Sequence, residues 1–224
     1  MLTFQDFFTA CAGVWKTERT YHSVLTGEVE RSYTEFQAQT LDQTEKQVIL
    51  TGSPTRKSTP EGAFSGIKID IDRLVNEPLS WFGFAIAFDT RSETGEEVSM
   101  QLKALFVPDE YVLEKPADLK PLPLPIAAQV PLDPSGEIIQ GFYLRDQGYS
   151  EAGAIAGRFT YQPTRQTLEM TTYYSRSVAV DQMRFIKPDL RLRTIVTYSR
   201  TDDTEIPSIV TLVGFGMEQK QDLS

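Results

Sequence analysis

Histidine and cysteine each occur once in this sequence of 224 residues, and their scarcity limits the chemistry. His22 is the one histidine, so a Ser-His-Asp triad would have to use it as its base, and a multi-histidine metal site is excluded. Cys11 is the one cysteine, which excludes an intramolecular disulfide and a cysteine-built zinc site. Cys11 falls on the apolar face of a predicted helix with no base nearby in sequence, and reads as a small buried hydrophobe. His22, near the end of the first predicted strand, reads as a surface or rim residue. The charged residues at strand spacing are more informative. If Trp15 points inward, period two sends Thr17, Arg19 and Tyr21 inward with it. An internal arginine is costly unless paired. Arg19 is therefore either a member of an ion pair or a guanidinium that holds a ligand carboxylate bidentately. Arg191 and Arg193 share one face of a later strand, opposite the more apolar Leu190, Leu192, Thr194 and Val196. A solvated basic face is the plain expectation there, and a pair of anion contacts lining a pocket is the alternative. Asp181 alternates in phase with Met183 and Phe185. A carboxylate on an apolar face needs a cationic or N–H-rich partner, an internal arginine first among them.

These residues sit on elements that read as mostly β. Thr3 to Ala12 is the one clear helix, with Phe4, Phe7, Phe8 and Cys11 at i, i+3, i+4, i+7, Thr3 as N-cap and Gly13 as the stop. After Gly13 the period changes to two. Strand-like runs cover 14–22, 28–37, 46–51, 64–72, 81–88 and 98–107, then 157–162, 167–177, 179–186, 190–200 and 206–217. Residues 108–134 hold seven of the thirteen prolines and read as a long loop or extended cover, packed on the fold through Leu119, Leu122, Leu124 and Ile126, with an interdomain linker as the alternative. About ten short antiparallel strands after one helix favour a closed barrel able to hold a ligand, with a β-sandwich as the alternative. We expect an all-β chain with a single domain over 1–224 and a flexible tail at 218–224. Gly13-Val14-Trp15 is a G-x-W motif in the place it takes in lipocalins, where the tryptophan plugs one barrel end and stacks on a late-strand arginine. Gly13 and Trp15 are accordingly expected to be structural.

Composition agrees with a folded domain: 40% of residues are apolar and 24% charged. The formal charge of −9 would repel phosphate backbones and argues against nucleic acid as the main partner. The N-terminus carries Asp6 and lacks the basic start of a signal peptide. The longest apolar stretch, Trp81 to Phe88, is too short to span a bilayer. The expectation is a soluble intracellular protein.

Several motifs, taken in order, resemble one family. Residues 15–22 (WKTERTYH) resemble the W-x-S-x-R-T-x-H opening of the S-type phycobiliprotein lyases, the CpcS/CpeS family. Residues 144–151 (LRDQGYSE) resemble that family's L-R-D-R-G-Y-x-E segment, with Gly157-Arg158-Phe159 following. Residues 168–174 (LEMTTYY) resemble L-x-L-T-T-x-Y, and 188–193 (PDLRLR) resemble P-N-L-R-x-R. The family's E-R-[IV]-W-F stretch departs here to Asp181-Gln182-Met183-Arg184-Phe185. The resemblance implies a lipocalin-like barrel that binds a linear tetrapyrrole, with phycocyanobilin the expected one, as substrate and not as a resident cofactor. It implies attachment of that phycobilin by a thioether to a cysteine of an α or β phycobiliprotein subunit. Asp181 is then the candidate catalytic acid, and Arg19, Trp81, Arg158, Tyr174, Arg191 and Arg193 are the candidate ligand contacts. No metal is implied. A homodimer, or a heterodimer with a related lyase, in a cyanobacterial cytosol or plastid stroma, is the setting to expect. A lipocalin-like carrier of bilin, haem or another apolar ligand, with no catalysis, is the alternative.

Overall fold

The computed structural model describes residues 1–51, 67–77, 80–114, 124–129, 138–147, 153–200 and 205–222. The chain opens on helix α1 (Phe4–Cys11), whose first turn is closed by a capping box: the Asp6 amide donates to Thr3 Oγ1 at 3.1 Å, and the Thr3 amide to Asp6 Oδ2 at 3.4 Å. Phe4, Phe7, Phe8 and Cys11 are all buried. Gly13 then turns the chain at φ 129°, where a Cβ would also meet Lys220 Cε at 2.6 Å.

Ten strands form a closed antiparallel barrel: β1 (Gly13–Ser23), β2 (Val29–Thr40), β4 (Phe82–Ser92), β5 (Glu97–Pro108), β7 (Ile139–Arg145), β8 (Ile155–Gln162), β9 (Thr167–Tyr173), β10 (Ser177–Lys187), β11 (Leu190–Ser199) and β12 (Val210–Lys220). They run around the barrel as β1-β12-β11-β10-β9-β8-β7-β5-β4-β2, with β2 closing back on β1. Closure leaves no sheet edge in the barrel. The barrel is the expected fold, and it decides against the sandwich. Between barrel strands lie helix α2 (Gln43–Thr51), helix α3 (Ile71–Asn76) and a small ribbon of β3 (Lys68–Ile69) with β6 (Val112–Glu114).

Several sequence expectations need correction. Residues 46–51 are helical, not a strand. The deciding signal is a capping box at its start, where the Asp42 amide donates to Glu45 and the Glu45 amide to Asp42 at 3.0 and 2.8 Å. Of the run 64–72, residues 64–66 lie outside the described residues and only Lys68–Ile69 is strand. Asp70 caps α3 by accepting from the Arg73 amide at 3.0 Å. Ile139–Arg145 is a barrel strand that pattern reading missed. β12 continues through Lys220, so Glu218 belongs to the barrel and not to a tail. Of the proline-rich stretch, 115–123 and 130–134 lie outside the described residues. Residues 108–114 are not loop: Pro108 ends β5, Asp109–Tyr111 is a single tight helical turn and Val112–Glu114 is strand β6. Of the four residues expected to pack, Leu124 joins Ala128, Val180 and Tyr198 on the outer wall, Ile126 is 72% exposed, and Leu119 and Leu122 lie outside the described residues.

Besides the small Ala128, Val180 and Tyr198 cluster, the described residues form two large apolar cores. The inner one fills the lower barrel with Trp15, Phe36, Phe84, Phe106, Tyr143, Phe159 and Phe185, under the aromatic face of α1. The outer one lies on the other side of β5 and β7, where Leu105, Val107, Phe142 and Leu144 meet α2, α3 and Trp81. Among the described residues, no helix is long and apolar enough to cross a membrane.

Candidate functional site

Strand register fixes which side chains face into the barrel. Paired residues share a face. From Trp15, the pairings Trp15↔Phe36, Arg19↔Gly216, Arg193↔Gly216, Arg191↔Glu218, Met183↔Arg193 and Asp181↔Ile195 carry the inward set around the wall. The arginines of β11 therefore point into the barrel, and Leu192, on the apolar face, is 39% exposed. The expectation of a solvated basic face is reversed.

At the closed end, Arg191 is buried over the Trp15 ring, 4.4 Å from guanidinium carbon to centroid. The Trp15 indole N–H donates to the Cys11 carbonyl at 2.9 Å, tying strand to helix. Arg191 Nε donates to Glu218 Oε2 at 2.5 Å and its Nη1 to Cys11 Sγ at 3.2 Å. Burial pushes the Cys11 thiol pKa up, so the thiol stays protonated and weakly nucleophilic. Arg191 is thus held at the closed end by Trp15, Glu218 and Cys11.

One carboxylate organises what lies above. Glu218 is fully buried and accepts from Arg19 Nη2 at 3.1 Å as well as from Arg191, with Arg193 Nη1 at 3.7 Å. Burial alone would raise its pKa; the guanidiniums of Arg191, Arg193 and Arg19 outweigh that and hold it at about 2. Arg193 forms a two-pronged pair with Asp181, Nε to Oδ1 at 2.9 Å and Nη2 to Oδ2. The barrel chain is Arg191, Glu218, Arg19, Arg193 and Asp181: three guanidiniums against two carboxylates. Arg19 Nε is buried with no hydrogen-bond partner among the described residues. Gly216 makes the crowding feasible, since a Cβ there would meet Arg19 Cγ at 2.9 Å.

The half of the barrel beyond this cluster is open. Tyr21, Ile86, Phe88, Met100, Ala179 and Ile195 face inward yet remain partly exposed, so solvent enters from this end. Across the barrel, Arg145 is buried and donates to the Tyr174 hydroxyl at 2.9 Å, while Tyr143 and Thr172 share a hydroxyl hydrogen bond of 2.5 Å. Arg19, Arg193, Asp181, Tyr174 and Arg145 therefore share the inner face of the barrel, whose open half is the candidate chamber.

Trp81 and Arg158 do not join them. Trp81 is buried in the outer core, where its carbonyl accepts from Lys46 Nζ at 2.9 Å. Arg158 points outward and is held by Asp109 through two bonds of 2.7 Å, its guanidinium 4.4 Å from the Phe142 ring. It borders a separate cavity of about 340 Å³ between the barrel wall and residues 124–129. His22 is exposed and stacks on Phe215 at 5.9 Å.

That outer cavity holds Glu169, which is 3% exposed and accepts from Gln182 Nε2 at 2.6 Å. Burial raises its pKa to about 6 despite that bond. The folded state then holds a proton that the unfolded state releases near 4.5, so stability falls as pH rises through about 4.5 to 6. Glu169→Gln keeps the acceptor for Gln182 and removes the ionisation. It should raise stability at pH 7 by on the order of 2 kcal/mol. Urea unfolding at pH 5 and 7 checks this; equal pH dependence in variant and parent would refute it.

Sequence reasoning missed Glu218 and Arg145. Arg145 lies within the LRDQGYSE segment, whose residues 148–151 are outside the described residues. Glu218 was legible only as an inward member of the alternation Gly214, Gly216, Glu218, Lys220.

Comparison with known proteins agrees with this architecture. The family described as CpeS-like protein matches residues 3–73 and 126–220. Chromophore lyase CpcS/CpeS 1 of Synechococcus sp. (strain JA-3-3Ab) is 37% identical over 97% of this chain and 96% of its own. Chromophore lyase CpcS/CpeS of Thermosynechococcus vestitus is 23% identical over 87% of this chain and 84% of its own. The S-type phycobiliprotein lyase CPES from Guillardia theta has the same fold at a TM-score of 0.59, with 14% identity over 100% of this chain and 95% of that one.

Proposed function

The chain belongs to the CpcS/CpeS family of chromophore lyases, and on that basis we propose that its open barrel half holds a linear tetrapyrrole and delivers it to a cysteine of a phycobiliprotein subunit. The observation that carries this reading is the buried cationic cluster beneath the chamber, in which Arg19 Nε has no hydrogen-bond partner among the described residues. A propionate of a bilin such as phycocyanobilin accepts that N–H in a charge-assisted hydrogen bond. The pyrrole rings then lie against Phe88, Ile86 and Ile195, and the pyrrole N–H groups donate to Asp181, whose carboxylate Arg193 holds in place.

In the transfer step the acceptor thiol adds across an exocyclic double bond of the end ring. Sulfur bonds to carbon, the thiol proton passes to the tetrapyrrole, and no group leaves. The lyase then contributes position and facial selection more than a nucleophile. Cys11, buried and bonded to Arg191, takes no part.

Mixing the protein with phycocyanobilin and a candidate acceptor subunit tests the reading. Colour that stays on the acceptor after acid denaturation supports a lyase; colour lost on denaturation indicates a carrier. Asp181→Asn should keep bilin binding, lower long-wavelength absorption and slow attachment about tenfold or more. An unaltered bound spectrum and full transfer rate in that variant would remove Asp181 from the site.

A further inference from the structure

We infer that the acceptor subunit seats on one arc of the barrel mouth, formed by the β1–β2 turn and the lead into β12; this rests on the lyase reading above. Val24 and Leu25 in the turn are 54% and 71% exposed, and Ile206 and Ile209 before β12 are 54% and 55% exposed. The two segments are joined into one surface. The Val24 amide donates to the Thr211 carbonyl at 2.9 Å, tying the turn to the start of β12 two residues after Ile209, whose own carbonyl accepts from the Ser199 amide of β11 at 2.8 Å. Single exposed aliphatics are ordinary, but four on two bonded segments at the entrance of a chamber form a contact patch. Glu28 and Glu205 are exposed within the same two segments.

Geometry selects the occupant. The other barrel end is shut by α1, with Phe7 and Trp15 fully buried beneath it, so a thiol from another protein reaches the chamber only through the mouth. A second copy of this chain seated across the rim would close that route. The surface instead fits an acceptor whose reactive cysteine lies beside an apolar patch, with basic residues positioned to meet Glu28 and Glu205. A small patch of this kind suits a transient complex that must release its product. The acidic flank predicts a salt-sensitive encounter.

The test uses Leu25→Asp with Ile206→Asp, and Val75→Asp on the distant α3 as a control. Bilin titration should stay within twofold of the parent in both variants. The combined rim variant should attach bilin at least tenfold more slowly at low acceptor concentration, through a raised KM, and recover near-parent kcat at saturating acceptor. Val75→Asp should match the parent. Parent-like transfer by the rim variant overturns the docking surface alone, as does loss of bilin binding along with transfer. A parent protein that attaches no bilin overturns the lyase reading itself.

Discussion

Replacing Glu218 by glutamine should destabilise the protein by about 3–5 kcal/mol, the range seen when one member of a buried ion pair is removed. The variant keeps shape and one acceptor oxygen. It leaves Arg19, Arg191 and Arg193 in the barrel with Asp181 as the remaining carboxylate of the cluster. The same group should govern acid sensitivity. Its folded pKa of about 2 lies below the unfolded value near 4.5, so its stabilisation is complete above 4.5 and is lost as pH falls toward 2. Urea unfolding between pH 2.5 and 7 should therefore show a steep acid limb in the parent, from this group on the order of 3 kcal/mol, that is flattened in Glu218→Gln. A loss under 1 kcal/mol with an unchanged acid limb would mean that the cluster is not what holds β1, β11 and β12 together.

The stability argument also shows why the sequence yields the barrel more readily than its site. Period-two alternation and the Thr3 cap were enough for one helix and most strands, because local geometry and burial agree there. They disagree on β11 and β12. Leu192, Phe215 and Met217 face solvent at 39%, 51% and 58%, while Arg191, Arg193, Gly216 and Glu218 face inward. A rule that places apolar residues inside inverts these two strands, since it cannot see that each buried charge finds its partner on a neighbouring strand. Arg19↔Gly216 and Arg191↔Glu218 are pairings across some two hundred and some thirty residues, invisible to any local window. Trp81 misled in the opposite way. It begins an apolar run that continues into β4, yet it lies just before that strand and is covered by α2. The α2 segment itself shows a short apolar run resolved by its cap, Asp42 with Glu45, and not by β-branched content. Asp181 in phase with Met183 and Phe185, and Arg19 in phase with Trp15, were readable because the inward face of those strands is otherwise apolar or aromatic.

The claim on which the rest depends is that the ligand occupies the barrel and not the outer cavity beside Arg158 and Glu169. Ala179 faces inward between Thr172 and Thr197 in the open half and is partly exposed, so a larger side chain there projects into solvent-filled space. Ala179→Trp should therefore fold with stability close to the parent and lose phycocyanobilin affinity by at least a hundredfold. Gln140→Trp, which fills the outer cavity, should leave affinity unchanged. The measurement is a phycocyanobilin titration of both folded variants against the parent. Loss of binding in Ala179→Trp alone is the predicted result; parent-like binding by Ala179→Trp, with loss in Gln140→Trp, would place the ligand outside the barrel and contradict the account.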